Sequence, residues 1–117
     1  MKDFPEFMKN PKNRIGESDQ HTQGVEGYFF EGADGSQMAY WICTADRTSK
    51  EHAHDFDEYM VCVDGKYTVI IGGKETELKS GDEFFIPQGT RHGGRVVAGT
   101  RTIHAFGGKR IQSTKKL

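Results

Sequence analysis

The chain has 117 residues, enough for one domain with a single modest core. Its 16 basic and 17 acidic residues give a formal net charge of -1, which argues against nucleic-acid binding because such domains carry a basic excess. No apolar run approaches the roughly 20 residues needed to cross a bilayer. An acid and a proline stand within residues 1–5, where a signal peptide would need apolar residues, so we expect a cytoplasmic protein without a membrane partner.

The apolar composition indicates an all-β fold. Seven Ile and six Val outnumber two Leu, and nine Thr, eight Phe and four Tyr accompany them. Helical domains favour Leu and Ala, whereas β-branched and aromatic residues suit pleated, half-buried surfaces. The two cysteines, Cys43 and Cys62, form no CxxC pair, and we expect them to be reduced thiols in the core.

Residues 1–24 show neither a helical nor a strand period, and only five of them are strongly apolar. We interpret this segment as an N-terminal arm with little regular structure of its own. Its two phenylalanines, Phe4 and Phe7, would dock on the domain or on a partner subunit. A disordered arm is the alternative interpretation.

From residue 25 onward, short runs of β-branched and aromatic residues alternate with turn residues. They predict strands at 28–31, 37–45, 58–63, 66–71, 74–78, 83–86, about 94–98 and about 100–106. Three dipeptides are predicted hairpin turns: Asp64-Gly65, Gly72-Gly73 and Ala98-Gly99. Eight or nine short strands at this spacing indicate a sandwich or barrel over residues 25–107, followed by a basic tail at 108–117.

The segment from His52 to Glu58 suggests a metal site. On an extended strand alternate side chains share a face, so His52 and His54 point the same way, and Glu58, Met60 and Cys62 continue that face. Two imidazoles and a carboxylate on one side are plausible ligands of a divalent transition metal. Taken alone, an HxH pair is more often two surface histidines, so the residues downstream decide.

The spacing in this segment resembles the first sequence motif of the cupin superfamily, G(X)5HXH(X)3-4E(X)6G. His52, His54, Glu58 and Gly65 match the motif, and Asp46 stands in place of its leading glycine. Gly65 also suits a tight turn that needs a positive φ or a close approach of the backbone.

The second cupin motif, G(X)5PXG(X)2H(X)3N, is matched by Gly81, Pro87, Gly89 and His92, with Val96 in place of its closing asparagine. The glycine at 81 again suits a positive φ, Pro87 stops a strand, and Gly89 turns the chain back so that His92 faces inward. Fifteen residues separate the two motifs, which resembles the shortest spacing found in the family.

The resemblance implies a double-stranded β-helix, the jelly-roll barrel of a small single-domain cupin (a monocupin of the conserved-barrel type). It also implies that His52, His54, Glu58 and His92 bind one divalent transition metal. Fe, Mn, Ni, Cu and Zn all accept these ligands. Four protein ligands leave open positions on a six-coordinate ion for substrate or oxygen. Many small cupins are homodimers, so we expect a homodimer in which residues of the arm 1–24 cross to the partner.

Four further residues are candidates for lining the pocket. Met60 and Cys62 share the face of the predicted ligands, but ordinary core positions explain them equally well. In the last hairpin, a two-residue turn would direct Arg101 toward the pocket, whereas a three-residue turn would direct His104 there. The sequence leaves this register open.

Two functions are compatible with these features. The first is a small metalloenzyme acting on a small acid or sugar-like substrate, with oxygenase or isomerase chemistry expected from the resemblance. The alternative is a non-catalytic module that binds or senses a small molecule. A substrate screen beside a thermal-shift screen distinguishes them, because a pure binder is stabilised by a compound that it never consumes.

Overall fold

The computed structural model describes residues 2–16, 19–20 and 25–112. The eight predicted strands are present, together with one very short additional strand. In chain order they are β1 (Val25–Glu31), β2 (Gln37–Cys43), β3 (Arg47–Thr48), β4 (Glu58–Asp64), β5 (Lys66–Ile71), β6 (Lys74–Lys79), β7 (Glu83–Ile86), β8 (Gly93–Val96) and β9 (Arg101–Phe106). Two 3-10 turns, Glu6–Lys9 and Pro11–Asn13, precede them. Within the described ranges, no helix is long and apolar enough to span a membrane.

The strands form two antiparallel sheets in a jelly-roll barrel, which confirms the predicted fold class. The five-stranded sheet has the order β1-β2-β9-β4-β7, and the four-stranded sheet has the order β3-β8-β5-β6. Strands from the beginning and the end of the barrel are therefore neighbours, since β2 pairs with β9. This pairing brings the segments that flank the barrel to the same sheet.

One of the three predicted hairpins is present and the other two are not. The turn at Gly72-Gly73 joins β5 to β6 as a two-residue hairpin. The turn at Gly65 instead carries the chain from β4 in one sheet to β5 in the other. The turn at Gly99 carries it back, from β8 to β9. The predicted pairing of the last two strands is therefore wrong, because β8 pairs with β3 and β5 while β9 pairs with β2 and β4.

The crossing at Gly65 and the crossing at Gly99 contact each other. Gly65 has a φ of 85°, and a Cβ added to it would lie 2.5 Å from Oγ1 of Thr100. That hydroxyl lies 3.1 Å from both the backbone nitrogen and the carbonyl oxygen of Lys66. Glycine is therefore required at position 65 for both reasons that the sequence suggested, the positive φ and the close approach. The expected positive φ is also present at Gly81.

The space between the sheets is partly filled by a core cluster of Met60, Cys62, Val69 and Leu78. Met60 and Cys62 have no exposed surface and contact these side chains from β5 and β6. Of the two interpretations that the sequence left open for them, the structure places both residues in the core.

The segments that flank the barrel pack against the five-stranded sheet. Phe4 is buried on the outer face of this sheet, with its ring centroid 5.1 Å from that of Tyr40, whereas Phe7 is 77% exposed. Ile15 and Ile111 are buried in a cluster with Phe106. The arm therefore contacts its own barrel. Residues 113–117 of the predicted tail lie outside the described residues.

Candidate metal centre

The three histidines of the two motifs lie close together, and two of them, His52 and His92, line a cavity. His52 and His54 precede β4, and His52 forms an isolated antiparallel bridge with His92, with N–O distances of 2.9 and 2.8 Å. This bridge sets the first motif beside the second. One ring nitrogen from each of His52, His54 and His92 lies within 4.8 Å of the others. The three imidazoles therefore form a cluster that could hold a metal ion.

Hydrogen bonds to backbone carbonyls fix the tautomer of two of these rings. Nδ1 of His52 lies 2.7 Å from the carbonyl oxygen of Lys50, and Nδ1 of His92 lies 2.9 Å from that of Thr90. A carbonyl oxygen only accepts hydrogen bonds, so each Nδ1 carries the proton. Nε2 of both rings then has its lone pair available, which is the state that binds a metal.

Glu58, the first residue of β4, is the fourth candidate ligand. Its Oε1 lies 3.5 Å from Nε2 of His54 and 3.6 Å from Nε2 of His92, and it accepts no hydrogen bond from the described residues. Its Oε2 accepts a hydrogen bond from Nδ1 of His104 at 2.8 Å. One carboxylate oxygen is held by His104, and the other faces the imidazoles. This arrangement suits binding of an ion through a single oxygen.

Burial and neighbouring charges set the protonation of the cluster. Burial lowers the pKa of His54 to about 4, so this imidazole is neutral at pH 7. Burial opposes ionisation of Glu58, but the hydrogen bond from His104 and the adjacent His92 outweigh it and hold the pKa of Glu58 below its usual value. Burial also disfavours the cation of His92, yet its contact with Glu58 raises its pKa. A metal ion would therefore compete with protons at His92 more than at His54.

The distances from Glu58 to two of the imidazoles suit a divalent transition metal. Two atoms that each bind one ion at about 2.1 Å lie about 3.0 Å apart at adjacent octahedral positions and about 3.4 Å apart in a tetrahedron. The distances from Oε1 of Glu58 to the two Nε2 atoms, 3.5 and 3.6 Å, are close to these values. Imidazole nitrogen and carboxylate oxygen are accepted by Fe, Mn, Ni, Cu and Zn alike. The cluster is therefore a candidate centre for one such ion.

The structure separates the other two pocket candidates. His104 lies in the cavity, where its Nε2 is 3.0 Å from Oγ1 of Thr102. Arg101 lies on the outer face of the sheet, with its guanidinium 5.1 Å from the centre of the Phe4 ring. The pairing of β9 with β4, in which His104 lies opposite Met60, fixes this alternation. The length of the preceding turn has no part in it, because that turn is not a hairpin.

Several residues that the sequence reasoning missed also line the cavity, which has a volume of about 70 Å³. Among them are Gln20, Trp41, Tyr67, Phe106 and Arg110. Strand parity would have found Phe106, which lies two residues after His104 on β9. No comparable pattern marks Arg110, because it follows the last strand in the segment interpreted as a tail. A cavity of this size has room for a few water molecules or a small organic ligand.

The barrel and the cavity together define the class of protein, a cupin with a cluster of three histidines and an adjacent glutamate. The family model described as a cupin domain matches residues 40–106, more than half of the chain. The chain belongs to the cupin family. No protein of curated function matches it.

Solved structures share this fold at low sequence identity. An RmlC-like cupin from Shewanella frigidimarina NCIMB 400 is 21% identical with a TM-score of 0.69, over 91% of this chain and 93% of that chain. The polyketide cyclase RemF from Streptomyces resistomycificus is 17% identical with a TM-score of 0.70, over 91% and 78%. KdgF from Halomonas sp. is 20% identical with a TM-score of 0.63, over 79% and 89%. At these identities the likeness shows the fold alone.

Proposed function

We propose that this cupin binds one divalent transition metal through His52, His54, His92 and Glu58, and that it is a metalloenzyme acting on a small acid or sugar-like substrate. The two oxygens of Glu58 are the main support. Oε2 is held by His104, while Oε1 is buried beside two imidazole nitrogens and accepts no hydrogen bond from the described residues. A buried carboxylate oxygen in this state is costly, and a bound cation would compensate it.

When bound, such a metal would act as a Lewis acid toward substrate oxygens. The protein residues would hold the ligands in position and shape the space beside them. The carbonyls of Lys50 and Thr90 keep two imidazoles in the metal-binding tautomer, and His104 orients the carboxylate. The rings of Trp41 and Phe106 form an apolar part of the cavity wall. Oxygenase and isomerase chemistry both remain within this proposal.

The first test is metal analysis of the protein purified without added metal and then titrated with each candidate ion. We expect about one equivalent per chain, and loss of most of it in His52→Ala and His92→Ala, because each removes a ligand. His21→Ala is the matched control, since neither motif includes that histidine. A wild-type protein that carries under roughly a tenth of an equivalent and takes up none on titration refutes the proposal.

Turnover distinguishes the enzyme from the alternative, a non-catalytic binding or sensor cupin. Compounds that raise the melting temperature of the metal-loaded protein would be incubated with it and analysed for conversion. A ligand at a hundredfold excess over its Kd adds roughly 2.7 kcal/mol to the free energy of unfolding, which is readily measured. Conversion that is lost in His92→Ala supports the enzyme. Strong stabilisation by compounds that are never converted favours the binder.

We also propose that the protein is a cytoplasmic homodimer. Phe7, Phe30 and Met38 leave apolar surface exposed on the outer face of the five-stranded sheet and on the arm, which a second copy would cover. Light scattering at micromolar concentration tests the dimer, and a monomeric mass contradicts it.

A further inference from the structure

Arg110 reaches the cavity from a segment that both cupin motifs exclude. It lies after the end of β9, and the next residue, Ile111, fixes its position. Ile111 is fully buried, its backbone nitrogen donates to Oε1 of Gln37 at 2.8 Å, and its carbonyl accepts from Nε2 of Gln37 at 3.0 Å. The side-chain amide of Gln37 thus satisfies both backbone groups of Ile111. The two hydrogen bonds between Gln37 and Ile111 therefore hold the backbone beside Arg110 in place.

The guanidinium of Arg110 lies among aromatic rings, and within the described residues it forms no ion pair with a carboxylate. Its Cζ is 5.6 Å from the centre of the Trp41 ring and 5.8 Å from that of Phe106, and its Nη1 donates to the carbonyl of Asp19. None of the ion pairs within the described ranges includes Arg110. An arginine has five N–H donors, so most of them are left for other partners.

Partial burial of Arg110 makes this arrangement unfavourable for the protein alone. Removal of its charge from water lowers the pKa of Arg110, although the nearby carboxylates of Glu58 and Asp19 partly oppose this effect. Buried charges in proteins are normally paired, and an arginine in an apolar wall is well suited to hold a planar carboxylate through two hydrogen bonds. The missing partner is therefore expected to be a ligand.

The net charge of the cavity with a bound metal ion would favour binding of an anionic ligand. A divalent ion would bring two positive charges and Arg110 adds a third, whereas Glu58 removes one and the three imidazoles bind as neutral ligands. The cavity would therefore be positive once the metal is bound. A ligand with one carboxylate would lower this net charge from about +2 to about +1, which a neutral sugar would not do.

We propose that Arg110 binds the carboxylate of a small organic acid, while a neighbouring hydroxyl or carbonyl oxygen of the same molecule reaches the metal. This inference rests on the proposed metal site and names the substrate class for it. Arg110 then determines ligand specificity, and a lysine would replace it only in part, because a single ammonium cannot make the same two parallel hydrogen bonds.

The test uses the full-length, metal-loaded protein and short-chain 2-hydroxy and 2-oxo acids, each paired with its neutral amide. Calorimetry would give the Kd of each compound. We expect every acid that binds to do so at least about tenfold more tightly than its amide, the range given by charge-assisted hydrogen bonds. Arg110→Gln should abolish this preference and Arg110→Lys should retain part of it. Lys109→Gln, which removes the same charge from the adjacent exposed residue, should leave the preference unchanged.

Metal stoichiometry, measured in the same samples, separates the two proposals. If the wild-type protein binds no metal, the proposed function fails, and the inference falls with it. If metal is bound at wild-type stoichiometry in Arg110→Gln and the preference for acid over amide is unchanged, the inference alone is overturned. Absence of acid binding by the metal-loaded wild type, or equal affinity for acid and amide, also overturns the inference alone. The lysine variant covers the case in which Arg110→Gln fails to fold.

Discussion

His104 offers a sharp test of how the metal centre is organised, because it contacts a candidate ligand without lying in either motif. Its Nδ1 donates to Oε2 of Glu58 at 2.8 Å, and its Nε2 lies 3.0 Å from the hydroxyl of Thr102. Both ring nitrogens are therefore engaged, and His104 acts on the site through Glu58. We predict that His104→Ala weakens metal binding without removing a ligand.

The size of the effect follows from the role of this hydrogen bond. Loss of a group that orients a metal ligand typically lowers metal affinity by about 10-fold to 100-fold, which corresponds to about 1.4 to 2.8 kcal/mol. The metal-free protein should also be less stable, by about 1.5 to 3 kcal/mol, because a buried carboxylate loses a donor. The same loss should move the pKa of Glu58 upward toward its usual value, since His104 is the strongest of the influences that lower it.

Chelator competition with Zn²⁺ or Co²⁺ would give the metal Kd, and denaturant unfolding would give the stability of the metal-free protein. His104→Asn is the matched variant, because its side-chain amide can donate from a position close to that of Nδ1. We expect it to recover most of the lost affinity. If His104→Ala binds metal as tightly as the wild type, then His104 does not orient Glu58. The proposal that Oε2 is held by His104 while Oε1 binds the metal is then wrong.

Two further predictions concern the wall of the cavity and the protonation of a ligand. Gly94→Ala should destabilise the protein by about 1–3 kcal/mol, because the new Cβ would lie 2.2 Å from Oη of Tyr67. Gly93→Ala is the control, since its new Cβ would meet only ordinary contacts from 3.6 Å. Equal melting temperatures for the two variants would contradict this prediction. In the metal-free protein the pKa of His54 is about 4 in the folded state against 6.5 for the free side chain, so the unfolded state takes up the proton first as the pH falls. The free energy of unfolding should therefore rise from pH 4 to pH 6.5, and His54→Asn should flatten this rise in denaturant titrations.

The strands were predictable because their causes are local. Alternating β-branched and aromatic residues define each strand, and positions such as Gly72 have a turn conformation that few other residues adopt. The partners of the strands were less predictable. A glycine with positive φ serves a hairpin at Gly72 and a crossing between sheets at Gly65 equally well. Only a distant contact, that of Gly65 with Thr100, distinguishes the second case.

The same distinction applies to the candidate site. The spacing of His52, His54, Glu58 and His92 could be matched to the cupin motifs, and the structure brings these four side chains together. The choice between Arg101 and His104 could not be made from the sequence, because it depended on a strand pairing that does not exist. Once the pairing of β9 with β2 and β4 is known, the face of the sheet on which each β9 side chain lies is also known, and His104 rather than Arg101 faces the cavity.

The residues beside the metal centre come from segments that the motifs do not cover, and this bears on how one barrel serves different ligands. Trp41 lies on β2 and donates from Nε1 to Oε1 of Gln20 in the arm at 2.7 Å, while Arg110 follows the last strand and donates to Asp19. The metal ligands depend on the register of the barrel, which a change in any core strand would disturb. Gln20 and Arg110 themselves lie outside the strands, at positions that tolerate sequence change better than core strands do. Under the role proposed for Arg110, a substitution there would change ligand specificity while leaving the candidate metal ligands in place, which is one way for a common fold to support different chemistries.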